Sequence, residues 1–130
     1  MSVATIFNEI YYLDNNSDVA TAVQKADFTS GFSHFVKFGG QELRAPNAFF
    51  DPEYYSLENP LVVDAVNQGA FVNVFQHYQL FGEMENRAPS IEFDGFSSES
   101  YLAENPDVLE AVLLGSFASA LDHFISFGRQ

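Results

Sequence analysis

Three histidines stand at equivalent places in the sequence and are the first candidates for chemistry. His34, His77 and His123 are each followed by an aromatic residue and, four positions on, by a Phe-Gly pair. A histidine could ligate a metal ion or act as a general base. The three lie 43 and 46 residues apart, which places them a repeat length from one another rather than around one ion. We therefore predict a structural role, with each ring packed at the edge of the core and donating to a backbone carbonyl or a helix cap.

The stretch DNNSD at residues 14–18 is the candidate metal site. Asp14, Asn16 and Asp18 place oxygen atoms at alternate positions, as a calcium loop does, which makes calcium the cofactor to consider. A helix-loop-helix calcium site would continue with glycine at position six and glutamate at position twelve, where this chain has Val19 and Lys25. The alternative, which we favour, is that Asn16 caps a helix and Asp18 interacts with the positive helix end.

Two arginines occupy the same place after their Phe-Gly pairs. Arg44 and Arg87 each have an acid two residues earlier, Glu42 and Glu85. A guanidinium there could clamp carbonyls or reach an acid of the next unit and so lock the two units together. The sequence contains no phosphate-binding loop, nucleophile-elbow serine or HExxH motif, so we do not predict an enzyme.

Composition excludes several other functions. The 130 residues include 18 acidic and 5 basic side chains, a net charge of −13, which disfavours binding to nucleic acid. The absence of cysteine excludes a disulfide scaffold, a thiolate zinc site and a cysteine nucleophile. The start lacks the pattern of a secretory signal, and no apolar run approaches the ~18 residues of a membrane span, so no membrane insertion is expected.

These candidate residues recur because the sequence is internally repetitive. We predict repeats at 1–48, 49–91 and 92–130, with net charges of −2, −5 and −6. The third stops before a third Arg-Ala-Pro, which suggests a natural chain end or a piece of a longer array. Three extra residues are placed after Asp94. The same residue recurs at Phe7/Phe50/Phe93, Tyr12/Tyr55/Tyr101, Asn16/Asn59/Asn105, Val19/Val62/Val108, Ala22/Ala65/Ala111, Val23/Val66/Val112 and Phe28/Phe71/Phe117.

Each predicted repeat has start and stop signals for three short helices. Asp51 and Pro52 read as an N-cap and a first helical residue, and Asn59 and Asn105 are placed to cap the second helix. The second helix should end at Gly69 in the middle repeat and at its counterpart Gly115 in the third. The third helix should begin around Phe71 or Phe117 and end at the Phe-Gly glycine. In the first repeat, that helix should carry one apolar stripe made of Phe28, Phe32, Phe35 and Phe38.

No segment alternates between apolar and polar residues, so strands are not expected. The predicted fold is therefore all-α. We expect an array of three stacked repeats of about 43–46 residues, each with about three short helices and an aromatic core shared between neighbours.

The motifs FDPEYY…ENP…AV…G…F…HY…FG and YLAENPDVLEAV…GSFASALDHFISFG resemble a known repeat family. They are similar to the tandem short helical repeats of large bacterial secreted and cell-surface proteins, roughly of the form FDPxYYLxxNPDVxxAV…ALxHFxxFGxxEGRxP. Such proteins often also carry calcium-binding repeats and leave the cell by a type I route without an N-terminal signal. The chain departs from the pattern at Leu43 and Asn86, where the family commonly has Gly. Because leucine tolerates the left-handed conformation less well than asparagine, we expect the two loops to differ in shape.

The resulting hypothesis is a non-catalytic structural or interaction module of a bacterial extracellular or cell-surface protein, exported by a signal-less route. It would self-associate or bind a protein partner through its acidic surface. Carboxylates between Glu83 and Glu99 could bind bridging calcium there, or could serve only solubility. The alternative is a stand-alone calcium-binding or small-ligand-binding protein of the cytoplasm.

Overall fold

Within residues 2–128, the part of the chain that the computed structural model describes, the fold is all-α and contains no strand. This confirms the predicted fold class. Three of the α-helices continue directly into a π-helical turn, at Phe35–Gly39, Tyr78–Gly82 and Phe124–Gly128. The α-helices of this range are α1 (Glu9–Asp14), α2 (Ser17–Gln24), α3 (Gly31–His34), α4 (Pro52–Glu58), α5 (Pro60–Asn67), α6 (Val74–His77), α7 (Ser98–Glu104), α8 (Pro106–Leu113) and α9 (Ala120–His123).

Local sequence signals set the start of α4 and the ends of α5 and α8. The Asp51 carboxylate accepts hydrogen bonds from the backbone N–H groups of the second and third residues of α4, and Pro52 is the first residue of that helix. Gly69 and Gly115 follow α5 and α8 with φ values of 88° and 83°, a conformation that costs glycine little. The predictions for these three positions are therefore confirmed.

The third helix of the first predicted repeat begins later than its aromatic residues suggested. Ser30 accepts a hydrogen bond from the backbone of Ser33 and caps α3, so Phe28 lies before the helix. Of the four phenylalanines expected to form one apolar stripe, Phe35 is buried, whereas Phe32 and Phe38 are 52% and 49% exposed. The single-stripe prediction was wrong because α3 is only one turn long and then widens into a π-turn.

Aromatic rings form the centre of the molecule. Phe7 contacts Tyr12 and Phe35, with ring centroids 5.1 and 5.2 Å apart. Phe75 joins this cluster to the next, because its ring lies 5.8 Å from Phe35 and 5.1 Å from Phe50. Such ring pairs stabilise a core beyond the area that they bury.

Phe96, rather than Phe93, holds the place in the third predicted repeat that Phe7 and Phe50 hold in the first two. Its ring contacts Tyr101 and Phe124 at 5.4 and 4.9 Å. The three extra residues therefore precede Phe96, and a 3-10 turn at Ile91–Phe93 accommodates them. Placing the insertion after Asp94 was wrong, because the Phe-Asp pair at residues 93–94 imitates the pair at residues 50–51.

Residues 3–5 bind side chains that are distant from them in the sequence. The backbone N–H of Val3 donates to Asp122 Oδ1 at 3.1 Å, and Gln79 Nε2 donates to the carbonyl of Thr5 at 2.8 Å. Asn47 Nδ2 donates to the carbonyl of Ala4, which is completely buried. Residues 2–5 are therefore held by side chains from all three predicted repeats, a contact that the sequence did not predict.

Candidate functional site

Each of the three histidines forms a hydrogen bond with a tyrosine of its own predicted repeat. The partner is a phenol hydroxyl rather than the backbone carbonyl or helix cap that we expected. Each histidine pairs with a different tyrosine, so the three do not share a site. The pairs, each with 2.8 Å between Oη and Nδ1, are Tyr12–His34, Tyr55–His77 and Tyr101–His123.

Burial favours the neutral forms of His77 and Tyr12. His34 and His77 are each 8% exposed, and burial lowers the pKa of His77. Burial likewise raises the pKa of Tyr12 to about 12. In the tautomer that carries its proton on Nε2, His77 Nδ1 accepts the hydrogen bond from the Tyr55 hydroxyl. His77 Nε2 lies 4.0 Å from Glu85 Oε1.

In each predicted repeat, the tyrosine passes directly over the glycine of the Phe-Gly pair and leaves no room for a side chain there. A Cβ atom at any of the three glycines would overlap the phenol oxygen, so a side chain there would displace the tyrosine from its histidine. The sequence had indicated these glycines only as helix ends. The distances from such a Cβ to Oη would be 1.9 Å for Gly39 and Tyr12, 2.1 Å for Gly82 and Tyr55, and 2.3 Å for Gly128 and Tyr101.

Asn16 connects α1 to the loop that carries Arg44. Its Nδ2 donates to the carbonyl of Tyr12 at 2.7 Å, and its Oδ1 accepts from Arg44 Nη1 at 2.9 Å. The side chain makes no hydrogen bond to the start of α2, so the predicted capping role of Asn16 was wrong. The amide instead satisfies the Tyr12 carbonyl of α1.

Arg44 binds acids of its own predicted repeat, not of the next one. Its guanidinium donates to both carboxylate oxygens of Asp18, at 2.9 and 2.8 Å, and its Nε donates to Glu42 at 3.0 Å. These hydrogen bonds lower the pKa of Asp18 to about 2. The expected link to a neighbouring repeat was therefore wrong at this arginine. The contact therefore joins two parts of the same predicted repeat.

The second predicted repeat has the same arrangement without the aspartate. Arg87 Nη1 donates to Asn59 Oδ1, Arg87 Nε donates to Glu85, and Asn59 Nδ2 donates to the Tyr55 carbonyl. Leu61 stands where the first repeat has Asp18. Like Asn16, Asn59 makes no side-chain hydrogen bond to the helix that it precedes, so its predicted capping role was also wrong.

Asn105 in the third predicted repeat makes the same amide contact, and no arginine among residues 2–128 binds its side chain. Its Nδ2 donates to the Tyr101 carbonyl at 2.8 Å, and its side chain does not cap α8. The capping prediction was therefore wrong at all three asparagines, and the shared contact is with the preceding tyrosine.

The predicted calcium ligands already have a cationic neighbour. Arg44 occupies Oδ1 of Asn16 and both carboxylate oxygens of Asp18, and a calcium ion would have to displace it. Among residues 2–128, no group of three histidine, aspartate or glutamate side chains is arranged to hold a metal ion. Calcium binding by Asp14, Asn16 and Asp18 stays a prediction, and the geometry gives Asn16 and Asp18 another role.

A groove that sequence reasoning missed lies where the Leu43 loop meets α4 and α5. It consists of two adjoining depressions of about 470 and 520 Å³. The Ser56 hydroxyl is buried there without a hydrogen-bond partner. We call this feature the Leu43 groove; its main lining residues are Leu43, Ser56, Leu57, Pro60, Val63 and Val66.

The backbone at Leu43 is left-handed, with a φ of 61°, and Asn86 has nearly the same φ of 60°. The expectation that the two loops would differ in shape was therefore wrong. Leucine pays a conformational cost in this region, which the packing of its side chain against the core offsets.

The rim of the Leu43 groove is acidic and partly apolar. Glu53 and Asp64 line the second depression, and Leu57 is 81% exposed. Leu61 on α5 is 80% exposed. The first predicted repeat has aspartate at the positions of Leu57 and Leu61, so comparing the repeats with one another could have indicated this surface.

Comparison with known protein families, curated proteins and solved structures gives no match to this chain. The resemblance to bacterial surface repeats therefore stays a prediction based on the quoted motifs. In the described part of the chain, no helix combines the length and apolar character needed to cross a membrane.

Proposed function

We propose that the chain is an array of three stacked helical repeats, of 43–46 residues each, that acts as a non-catalytic interaction module. The recurrence of the tyrosine–histidine hydrogen bond and of the asparagine contact with the tyrosine carbonyl supports the array. The resemblance of the motifs favours a bacterial extracellular or cell-surface protein as its setting, reached by a signal-less route.

The Leu43 groove is the observation that carries the interaction role. Its floor is apolar, and Glu53 and Asp64 supply negative charge at the rim. Exposed apolar surface rimmed by polar residues is typical of a protein-binding site. The complementary partner is a protein segment that carries both apolar and basic side chains.

Charge favours a different protein over a second copy as the partner. The chain has 5 basic side chains and a net charge of −13, so two copies repel each other. Calcium could reduce this repulsion by bridging carboxylates. Self-association through the acidic surface is therefore the outcome to test against partner binding.

The groove can be tested with a short amphipathic peptide of leucine and lysine. Titration of the isotope-labelled chain should shift the backbone NMR signals of Leu43, Ser56 and Val63. The variant Leu57→Asp should weaken binding about tenfold or more, because it puts a charge on an apolar contact. Leu114→Asp, at a leucine that is 76% exposed outside the groove, is the matched control and should bind as the unmodified chain does.

Two outcomes would contradict the proposal. One is that a leucine–glutamate peptide binds as tightly as the leucine–lysine peptide, which would mean that the acidic rim does not favour basic partners. The other is a lack of any shift at millimolar peptide. Sedimentation equilibrium with and without millimolar calcium completes the test, since a calcium-dependent dimer would instead point to self-association.

A further inference from the structure

Three polar side chains each occur at their position in only one of the three predicted repeats. Tyr78 follows its histidine, where the other two repeats have phenylalanine. Glu83 follows its Phe-Gly pair, where the first repeat has a second glycine. Asp122 precedes its histidine, where the other two repeats have serine and glutamine. The other repeats form the same helices without these side chains, so the repeated fold does not account for them.

The three side chains meet where the second and third predicted repeats contact each other. Glu83 Oε2 accepts from the Ser119 hydroxyl at 3.3 Å, and Ser119 Oγ accepts from the backbone N–H of Asp122 at 3.0 Å. Burial raises the pKa of Tyr78, and the nearby charges of Glu83 and Asp122 raise it further. Burial also raises the pKa of Glu83, which a hydrogen bond from the Ser2 hydroxyl lowers in part. We call these five residues, Ser2, Tyr78, Glu83, Ser119 and Asp122, the interface cluster.

The corresponding contact between the first and second predicted repeats has no room for such a carboxylate. Gly40 holds the position of Glu83 there, and a Cβ atom on it would lie 2.2 Å from Asn73 Nδ2. Asn73 caps α6 as Ser119 caps α9. Because serine is shorter than asparagine, the second contact accommodates the Glu83 side chain. A close packing contact in one interface is therefore replaced by a partly buried charge in the other.

The interface cluster contains two acids and no basic side chain. Asp122 is 5% exposed, and Glu83 is partly buried. Among residues 2–128, no lysine, arginine or histidine forms an ion pair with either acid. The Asp122 carboxylate accepts from the backbone N–H groups of Val3 and Ala118, at 3.1 and 3.2 Å. Such hydrogen bonds hold the carboxylate in place, but a buried charge without a counter-charge still costs stability.

The Tyr78 hydroxyl is a second, independent sign of a missing ligand. Tyr78 is completely buried, and within the described part of the chain its hydroxyl has no hydrogen-bond partner. Phe35 is buried at the same position of the first predicted repeat, so the core can be filled there without an oxygen atom. An unpaired buried hydroxyl is costly. The hydroxyl therefore supplies a polar atom that the packing of the core does not need, beside two carboxylates that lack a counter-charge.

We infer that the interface cluster binds one divalent cation of the class that prefers oxygen ligands, calcium or magnesium. The carboxylates of Glu83 and Asp122 together match the charge of the ion. The hydroxyls of Ser2, Tyr78 and Ser119 supply neutral oxygen atoms. Because every available ligand atom is an oxygen, the cluster suits these ions better than zinc or copper. The site goes beyond the proposed interaction function and shares no residue with the Leu43 groove.

Thermal unfolding of the metal-free chain tests the site. After treatment with EDTA and dialysis, calcium or magnesium chloride is titrated at pH 7 with the ionic strength held constant by potassium chloride. A cation at ten times its Kd should raise the Tm by about 5 °C. Glu83→Gln should weaken binding at least tenfold, because it removes one of two charged ligands. Tyr78→Phe, which introduces the residue that the other repeats have, should weaken it severalfold.

Glu110→Gln is the matched control, since it removes one negative charge at an exposed glutamate of α8. It should leave the affinity unchanged. Manganese, a paramagnetic ion with the same preference for oxygen, locates the site by NMR. At substoichiometric amounts it should broaden the backbone signals of Val3, Ser119 and Asp122 before any others.

Three results would overturn the inference. One is an unchanged Tm with both ions at millimolar concentration. Another is an equal rise in Tm in Glu83→Gln and in the unmodified chain, which would mean that the ions act by general screening. The third is manganese broadening that begins at Asp18 or at the groove residues Glu53 and Asp64. Peptide binding to the Leu43 groove, measured in EDTA, is independent of all three results, so the two proposals can fail separately.

Discussion

Replacing Gly39 by alanine tests whether the tyrosine–histidine pair explains the Phe-Gly signature. The new Cβ would lie 1.9 Å from Tyr12 Oη, far inside contact distance. The hydroxyl would have to move by more than about 1 Å, which breaks its 2.8 Å hydrogen bond to His34. Because Tyr12 is completely buried, the ring has no solvent into which it can turn.

The expected cost combines three contributions. A buried imidazole nitrogen left without its partner costs about 1–3 kcal/mol. Displacing a ring in a filled core costs about 1–3 kcal/mol. Alanine offsets about 0.5–1 kcal/mol of this loss of stability, because it restricts the unfolded chain more than glycine does. We therefore expect the free energy of unfolding to fall by about 3 kcal/mol, which corresponds to a Tm lower by roughly 10 °C for a chain of this size.

Urea unfolding followed by circular dichroism measures this loss. Gly95→Ala is the matched control, because no atom lies within 4 Å of its Cβ position, and it should stay within about 0.5 kcal/mol of the unmodified chain. Removing the hydroxyl with Tyr12→Phe should relieve most of the clash, so the double variant should lose at least about 1 kcal/mol less than the sum of the single losses. Unchanged stability of Gly39→Ala, or strict additivity with Tyr12→Phe, would refute the reasoning.

Three further predictions concern charge and repeat closure. Because hydrogen bonds from Arg44 lower the pKa of Asp18 to about 2, their stabilisation is complete above about pH 4 and is lost towards pH 2. Arg44→Met should cost about 1 kcal/mol at pH 7 and flatten that part of the urea-unfolding profile; an unchanged profile would contradict this. Burial and the nearby Asp122 raise the pKa of Glu83, so its charged form opposes folding as pH rises. Glu83→Gln should therefore raise the Tm at pH 7 by a few degrees, with no gain near pH 4, and a gain of equal size at both pH values would exclude this cause. Appending Glu-Leu-Arg-Ala-Pro-Asn after residue 130 puts an arginine ten positions after His123 and should raise the Tm, whereas the same extension with alanine for arginine should raise it less.

The sequence predicted those features of the fold that depend on a few adjacent residues. Asp51 and Pro52 start α4 as expected, and Gly69 ends the turn after α5, because capping and left-handed glycine are local properties of the backbone. The π-turns were not predictable in this way. The first of them ends at Gly39, which lies under Tyr12, a residue 27 positions earlier, so its surroundings are not a local property of the sequence.

The sequence-based predictions failed mainly where two chemically similar contacts or residues could fill the same role. Asn16 could cap α2 or bind backward to the Tyr12 carbonyl, and only the arrangement of α1 and Arg44 decides between the two. Phe93 and Phe96 are equally good aromatic residues before a short polar side chain. The ring contacts of Tyr101 and Phe124 select Phe96.

The candidate surfaces could be predicted even less well. The Leu43 groove requires the left-handed backbone of Leu43 to be set against α4 and α5, and sequence arguments disfavoured that conformation. The tyrosine partners of the histidines were visible in the repeat, at 22 residues before each histidine. Nothing in the local pattern joined them, because the contact forms between separate helices.

The contact between Val3 and Asp122 affects the order in which the chain can fold. In a linear array each repeat depends on its neighbours alone, so repeats that leave the ribosome first can complete their structure early. Here the site that holds the Val3 N–H is supplied 119 residues later. The Val3 N–H therefore lacks this partner until synthesis has passed Asp122. Such a long-range closure makes folding slower and unfolding more concerted than the short helices alone would suggest.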